Sequence, residues 1–120
     1  MINVNDCARS LSEYFSPKII GEINDIYVKV ARIYGEKIPW HSHDGEDEMF
    51  FILEGELLLE EEGKEILQMK KGDMHIVKKG IIHRVSSNKE CHILLIENKT
   101  TEHTGKIITD ITKSIDQQKS

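Results

Sequence analysis

The sequence predicts an all-β domain, a barrel or sandwich of short strands preceded by one short helix. Three observations predict it. From Lys18 onward, short β-branched or aliphatic runs alternate with Gly, Asp, Asn and Lys punctuation. Turn signals at Glu62-Gly63-Lys64, Lys71-Gly72-Asp73 and Lys79-Gly80 fall between those runs. The chain has 120 residues, which suits one domain with a hydrophobic core of its own.

The elements follow in chain order. Residues 4–15 read as a short helix, with Asn3 or Asn5 as its cap and Leu11, Tyr14 and Phe15 sharing a face. Ser16-Pro17 ends it, because proline disfavours helical backbone at the residue before it. Candidate strands cover residues 19–23, 27–34, 48–54, 56–61, 64–69, 74–77, 83–86 and 91–98. Strands this short and this closely spaced suit a jelly roll or an up-and-down barrel, and periodicity alone does not choose between them. The tail from Thr109 is polar, with only Ile111 and Ile115 offering packing, and is expected to fray or form a short helix. The expected organisation is a helical segment over residues 1–18, a β-barrel over 19–108 and a polar tail over 109–120.

Composition narrows the function classes. The net charge of −5 leaves no basic footprint for nucleic acid. No apolar run approaches the roughly 18 residues of a membrane span. Residues 1–16 carry Asp6, Arg9 and Glu13 among their apolar residues and lack the basic start and apolar block of a signal peptide, so the cytoplasm is the expected location. Cys7 and Cys91 form no CxxC pair and read as free thiols that pack as small apolar side chains.

Six histidines in 120 residues is an enrichment, and their placement matters. On an extended strand, residues two apart face the same way, so His41 and His43 project together. Glu48 follows a turn containing Gly45 and opens the apolar run 49–53. A carboxylate pointing inward there needs a partner, and a metal ion would satisfy it. Asp44, Glu46 and Asp47 read as a solvated acidic loop.

The longer pattern carries a family resemblance. Gly35, five residues, His41, one residue, His43, four residues, Glu48, six residues and Gly55 resembles the complete first motif of the cupin superfamily. Gly72-Asp73, Gly80, His83 and Ser87 resemble the second, with Lys78 in place of a proline and Ser87 in place of an asparagine. The resemblance runs from Tyr27 to about Glu97 and implies a small single-domain, metal-binding cupin. The fold it implies is a jelly-roll β-barrel with the short helix before it. It also implies that His41, His43, Glu48 and His83 hold one metal ion. Three imidazoles and a carboxylate suit Fe, Mn, Ni, Zn, Co or Cu rather than a thiolate-selecting site.

Strand parity makes Trp40, Phe50, Ile52 and His75 candidate pocket residues, with His75 available to orient a ligand or relay a proton. His92 beside Cys91 has no assigned role. His103 lies in a loop-like stretch, within a His-Thr-Gly segment that many single-domain cupins resemble, and its role is open. The sequence assigns no catalytic residue. Met49, Phe51 and Leu53 are apolar on the opposite face from Phe50 and Ile52, so the strand is covered on both sides. The cover is expected from the N-terminal segment or a second chain. Because cupins are commonly dimers, a homodimer is expected, with Ile19, Ile20 and Ile23 as part of its interface.

Two functions follow from the resemblance. One is a metal-dependent enzyme acting on a small molecule, isomerase-, decarboxylase- or dioxygenase-like. The other is a non-catalytic module that binds or senses a metal or a small ligand. Likeness to phosphomannose isomerases reflects the shared barrel. A phosphorylated substrate needs cations, and Lys29, Arg32, Lys78, Lys79 and Arg84 are expected to face solvent.

Overall fold

Alternation along each run becomes an inner and an outer face. The computed structural model describes residues 1–106 and 112–119. Among the described residues eight strands appear in chain order, β1 (Lys18–Ile23), β2 (Ile26–Gly35), β3 (Glu48–Glu54), β4 (Glu56–Glu61), β5 (Leu67–Lys70), β6 (Met74–Val77), β7 (His83–Asn98) and β8 (His103–Lys106). Helices α1 (Val4–Arg9) and α2 (Ile115–Lys119) flank them. The fold is an all-β jelly roll with a short N-terminal helix, as the sequence predicts. Among the described residues, no helix is long and apolar enough to cross a membrane.

One strand organises the rest. Residues 83–86 and 91–98, expected as two strands, are a single 16-residue β7. Its second half pairs antiparallel with β2 on one side and β3 on the other. Its first half pairs with β4, which also carries β5. The strand order is therefore β1-β2-β7-β3-β6, with β4 and β5 branching from β7. Because β7 serves both groups of strands, it turns the corner of the barrel without a break. The tight turn at Gly55 just before β4 has φ 77°, and a Cβ there would meet the Glu90 carbonyl oxygen at 2.5 Å. Only glycine fits that position.

The inward faces make the core. Phe15, Ala31, Ile33, Phe50, Ile52, Leu57, Leu59, Val85, Ile93 and Leu95 are buried in one cluster. Each large apolar side chain buried this way stabilises by about 1.5–3 kcal/mol. A second cluster lies outside the sheet, where Ala8 of α1 covers Val30 and Leu53, with Leu11, Ile20, Phe51 and Leu94 around them.

The N-terminal helix is shorter than expected. Asn3 caps it, its Oδ1 accepting the Asp6 amide at 3.0 Å, and it ends at Arg9 instead of continuing to residue 15. Tertiary contacts override local helical preference beyond that point. Phe15 adopts φ 54° and donates its amide to the Arg32 carbonyl at 2.8 Å. Its ring joins the barrel core, and the Tyr14 hydroxyl reaches Glu90 at 2.7 Å. Leu11, Tyr14 and Phe15 therefore do not share a helical face. The segment expected as a strand over residues 64–69 begins later, at Leu67, so the turn around Gly63 is wider. His103, expected in a loop, starts β8. Ile115 starts α2, while Thr109, Ile111 and the boundary at residue 108 lie outside the described residues.

Candidate metal centre

Backbone pairing brings the histidines together. His41 lies before β3 and exchanges two backbone hydrogen bonds with His83 at the start of β7, at 3.0 and 2.8 Å. His43 follows on the same face, two residues along. Glu48 opens β3 and faces inward at 5% exposure. One donor atom from each of His41, His43, Glu48 and His83 lies within 4.8 Å of the others, and all four residues are buried. The imidazole rings of His41 and His83 have centroids 4.4 Å apart.

The ring orientations are set by the backbone. The Nδ1–H of His41 donates to the Pro39 carbonyl at 2.9 Å, and that of His83 to the Ile81 carbonyl at 3.0 Å. In each case the carbonyl belongs to the residue two positions earlier. A donor at Nδ1 leaves the Nε2 lone pair free to coordinate. The Nε2 atoms of His83 and His43 lie 3.3 and 3.5 Å from Glu48 Oε1. Both Nε2 atoms are buried without a hydrogen-bond partner. Buried polar atoms left alone are costly, so four converging donors with two orphaned nitrogens fit a divalent ion well.

The surroundings act differently on each group of the cluster. Burial lowers the His41 pKa to about 4, so its imidazole is neutral at pH 7. Burial opposes charge on Glu48, but the neighbouring His43 and His83 rings and a hydrogen bond from Glu97 outweigh it and hold this carboxyl well below its usual range. Burial also opposes charge on His83, where Glu48 and the Ile81 carbonyl prevail and raise the pKa.

A polar pair behind Glu48 escaped the sequence reading. Glu97 on β7 sits directly opposite Glu48 on β3. Burial, then the Glu48 carboxylate, push the Glu97 carboxyl well above its usual range, and it hydrogen-bonds Glu48. The Lys29 ammonium stands 2.5 Å from Glu97 Oε1, with side-chain exposures of 1% and 3%. Lys29 was expected to face solvent and instead points into the barrel. The signal was present in parity, since Lys29 alternates with the inward residues Tyr27, Ala31 and Ile33.

A cavity of about 40 Å³ adjoins the cluster, lined by His41, Glu48, His103 and apolar side chains that include Phe15, Phe50 and Leu95. Of the four expected pocket residues, Phe50 alone lines it. Ile52 is fully buried in the apolar core beside it. Trp40 is 38% exposed and faces the Arg84 guanidinium at 4.6 Å, because its neighbour His41 takes the inward direction. His75 is half-buried with its Nε2 3.3 Å from Glu61 and does not line the cavity. His92 pairs with Glu90 at 3.2 Å. Arg32, Arg84 and Lys78 are engaged elsewhere. Arg32 pairs with Glu90, Arg84 with Glu60 at 2.6 Å, and Lys78 with Asp47 at 3.8 Å.

The chain is similar in sequence and fold to known proteins. The family model described as Cupin domain matches residues 32–97. Uncharacterized protein YdbB of Bacillus subtilis (strain 168) is 36% identical over 102 residues, which is 85% of this chain and 89% of the relative. The crystal structure of a cupin-2 domain containing protein from Shewanella frigidimarina NCIMB 400 superposes with a TM-score of 0.77 at 33% identity, covering 82% of this chain and 94% of that one. Protein NMB1881 from Neisseria meningitidis superposes at 0.73 with 26% identity, covering 82% of this chain and 98% of its own.

Proposed function

The chain belongs to the cupin family, and from that premise we propose that it holds one divalent metal ion between His41, His43, Glu48 and His83 and presents it to a small molecule in the barrel. The observation that carries this reading is the convergence of four buried donors within 4.8 Å. Fe, Mn, Ni, Zn, Co and Cu all accept such a mixed nitrogen and oxygen set. When bound, the ion supplies Lewis acidity to a ligand oxygen. The protein's own part is to keep two imidazoles in the coordinating tautomer through the Pro39 and Ile81 carbonyls and to hold Glu48 against Glu97. Isomerase-, decarboxylase- or dioxygenase-like chemistry would all use such a site.

The test is metal content after purification without chelator. Wild-type protein should carry close to one equivalent, and the His41→Ala/His83→Ala double variant close to none. Equal metal in both proteins sinks the assignment. A second reading, a non-catalytic binding or sensing module, is favoured by one observation. Among the described residues, apart from His41 and Glu48, only His103 in the cavity wall can give or take a proton. Substrate-dependent turnover by the loaded protein would decide against it.

The reading includes a second copy of the chain and a cytoplasmic setting. Helix α1 covers one row of the outer sheet face. Beside it Val28, Ile96, Met49 and Ile76 stand in register across four strands as an apolar row. At its end Ile76 is 40% and Met74 55% exposed. Apolar rows of this kind are typical of homodimer interfaces. Of the expected interface residues, Ile23 is exposed, whereas Ile20 packs against the α1 cluster. Sedimentation should give a dimer for wild type and a monomer for Ile76→Glu. A monomeric wild type refutes the dimer. The two free thiols suit a reducing compartment.

A further inference from the structure

His103 lines the cavity beside the metal centre. Its Nδ1 accepts the backbone amide of Lys113 at 2.9 Å. A nitrogen that accepts carries no proton, so the ring is neutral and its proton sits on Nε2. Burial also lowers the His103 pKa, to about 4, in keeping with a ring that stays neutral. The ring lines the same cavity as His41 and Glu48. Its position is enforced two residues later. A Cβ on Gly105, at φ 61°, would run into the Ser42 carbonyl oxygen, so β8 lies against the chain that carries His41 and His43. The His-Thr-Gly segment thus has a physical reading. The glycine permits the close approach, and the histidine brings a ring of fixed tautomer to the cavity wall.

The remaining wall is apolar, from Phe15, Ile33, Ile38, Phe50, Val85 and Leu95 among others. Among the described residues, no lysine or arginine lines it. The cavity of about 40 Å³ opens to solvent on one side. Against this apolar wall a hexose phosphate would leave most of its hydroxyls and its phosphate without partners. Buried polar groups without partners are strongly disfavoured.

We infer that the site takes a short-chain carboxylate, with its oxygens shared between the metal position and the Nε2–H of His103 and its alkyl end against the apolar wall. This rests on the metal reading above, and the test separates the two. Protein loaded with Co(II) is assayed for metal content and then titrated with butyrate and, separately, with mannose 6-phosphate, following the visible cobalt bands. Wild type should bind butyrate at least tenfold more tightly than mannose 6-phosphate. His103→Ala should weaken butyrate about tenfold or more, as expected for loss of a hydrogen bond to a charged group. His103→Gln, which keeps an N–H donor, should recover most of that loss. Absence of bound cobalt would count against the metal reading alone. In that case ring ¹⁵N spectra of the metal-free protein still report on His103. They should show a protonated Nε2, and a proton on Nδ1 would overturn the inference. Bound cobalt with equal butyrate affinity in wild type and His103→Ala would overturn it too, as would preference for mannose 6-phosphate.

Discussion

At a pH above the raised Glu97 pKa, where Lys29 and Glu97 form a buried ion pair, replacing Lys29 with methionine should destabilise the metal-free protein by about 3–5 kcal/mol, the usual cost of removing one partner. The ammonium lies 2.5 Å from Glu97 Oε1, and the two side chains are 1% and 3% exposed. At an effective dielectric of about 20, that separation corresponds to roughly 7 kcal/mol of gross attraction, most of it offset by desolvation. Methionine keeps the apolar stem of lysine, so the loss reports on charge rather than on a cavity. At that pH Glu97→Gln should cost a similar amount, because it removes the ionised carboxylate and strands the Lys29 cation. The Lys29→Met/Glu97→Gln double variant contains neither charge and should lose far less than the sum. Urea denaturation of the four proteins closes a double-mutant cycle, and additivity within about 0.5 kcal/mol would refute the reasoning.

The same cycle has a pH signature. Burial and Glu48 raise the folded-state pKa of Glu97, while Lys29 lowers it. Removing Lys29 raises it further above the unfolded value near 4.3. A raised carboxyl contributes stability that is present below the unfolded pKa and lost as pH rises through the folded one. The Lys29→Met deficit should therefore be larger at pH 8 than at pH 5. A deficit that shrinks with rising pH would contradict the assigned direction.

Other predictions are simpler to check. Gly105→Ala should lower the melting temperature by several degrees and weaken metal retention, because its Cβ would collide with the Ser42 carbonyl between His41 and His43; unchanged melting and metal content would show that β8 does not press on that segment. Native protein should react with a thiol reagent at Cys7 only, since Cys91 is fully buried and burial pushes its thiol up to about 12. Two rapidly reacting thiols before unfolding would contradict this. Adding Co(II) at about 100 times its dissociation constant should stabilise wild type by roughly 2.7 kcal/mol in thermal unfolding and leave His41→Ala/His83→Ala unchanged.

Much of the fold was legible before any coordinates. β3, β4 and β6 occupy the residues that alternation assigned, because their packing repeats every two residues along the chain. The ends of α1 and β5 were not legible. Both are decided by contacts distant in sequence, such as Phe15 donating to Arg32. The unity of β7 was hidden for the same reason. Residues 87–90 look like a loop locally, yet Ser87 opposes Gly35 on β2 and its hydroxyl bonds the Glu56 carbonyl at 3.0 Å.

The sequence by itself determined that His41, His43 and Glu48 share one short segment, since ligand spacing on a strand and across a turn is local geometry. It also determined that an all-β barrel surrounds them, through alternation and turn residues. Tertiary structure alone decided how His83 meets His41, through a two-bond backbone bridge between segments far apart in the chain. It decided that Lys29 and Glu97 lie buried behind Glu48 while Trp40 turns outward. It decided that His103 joins the cavity wall, because a neighbouring glycine lets β8 lie against the His41 segment. Local periodicity encodes which way a side chain points relative to its neighbours. Which side chains from distant strands meet depends on register and closure, and those exist only once the barrel forms.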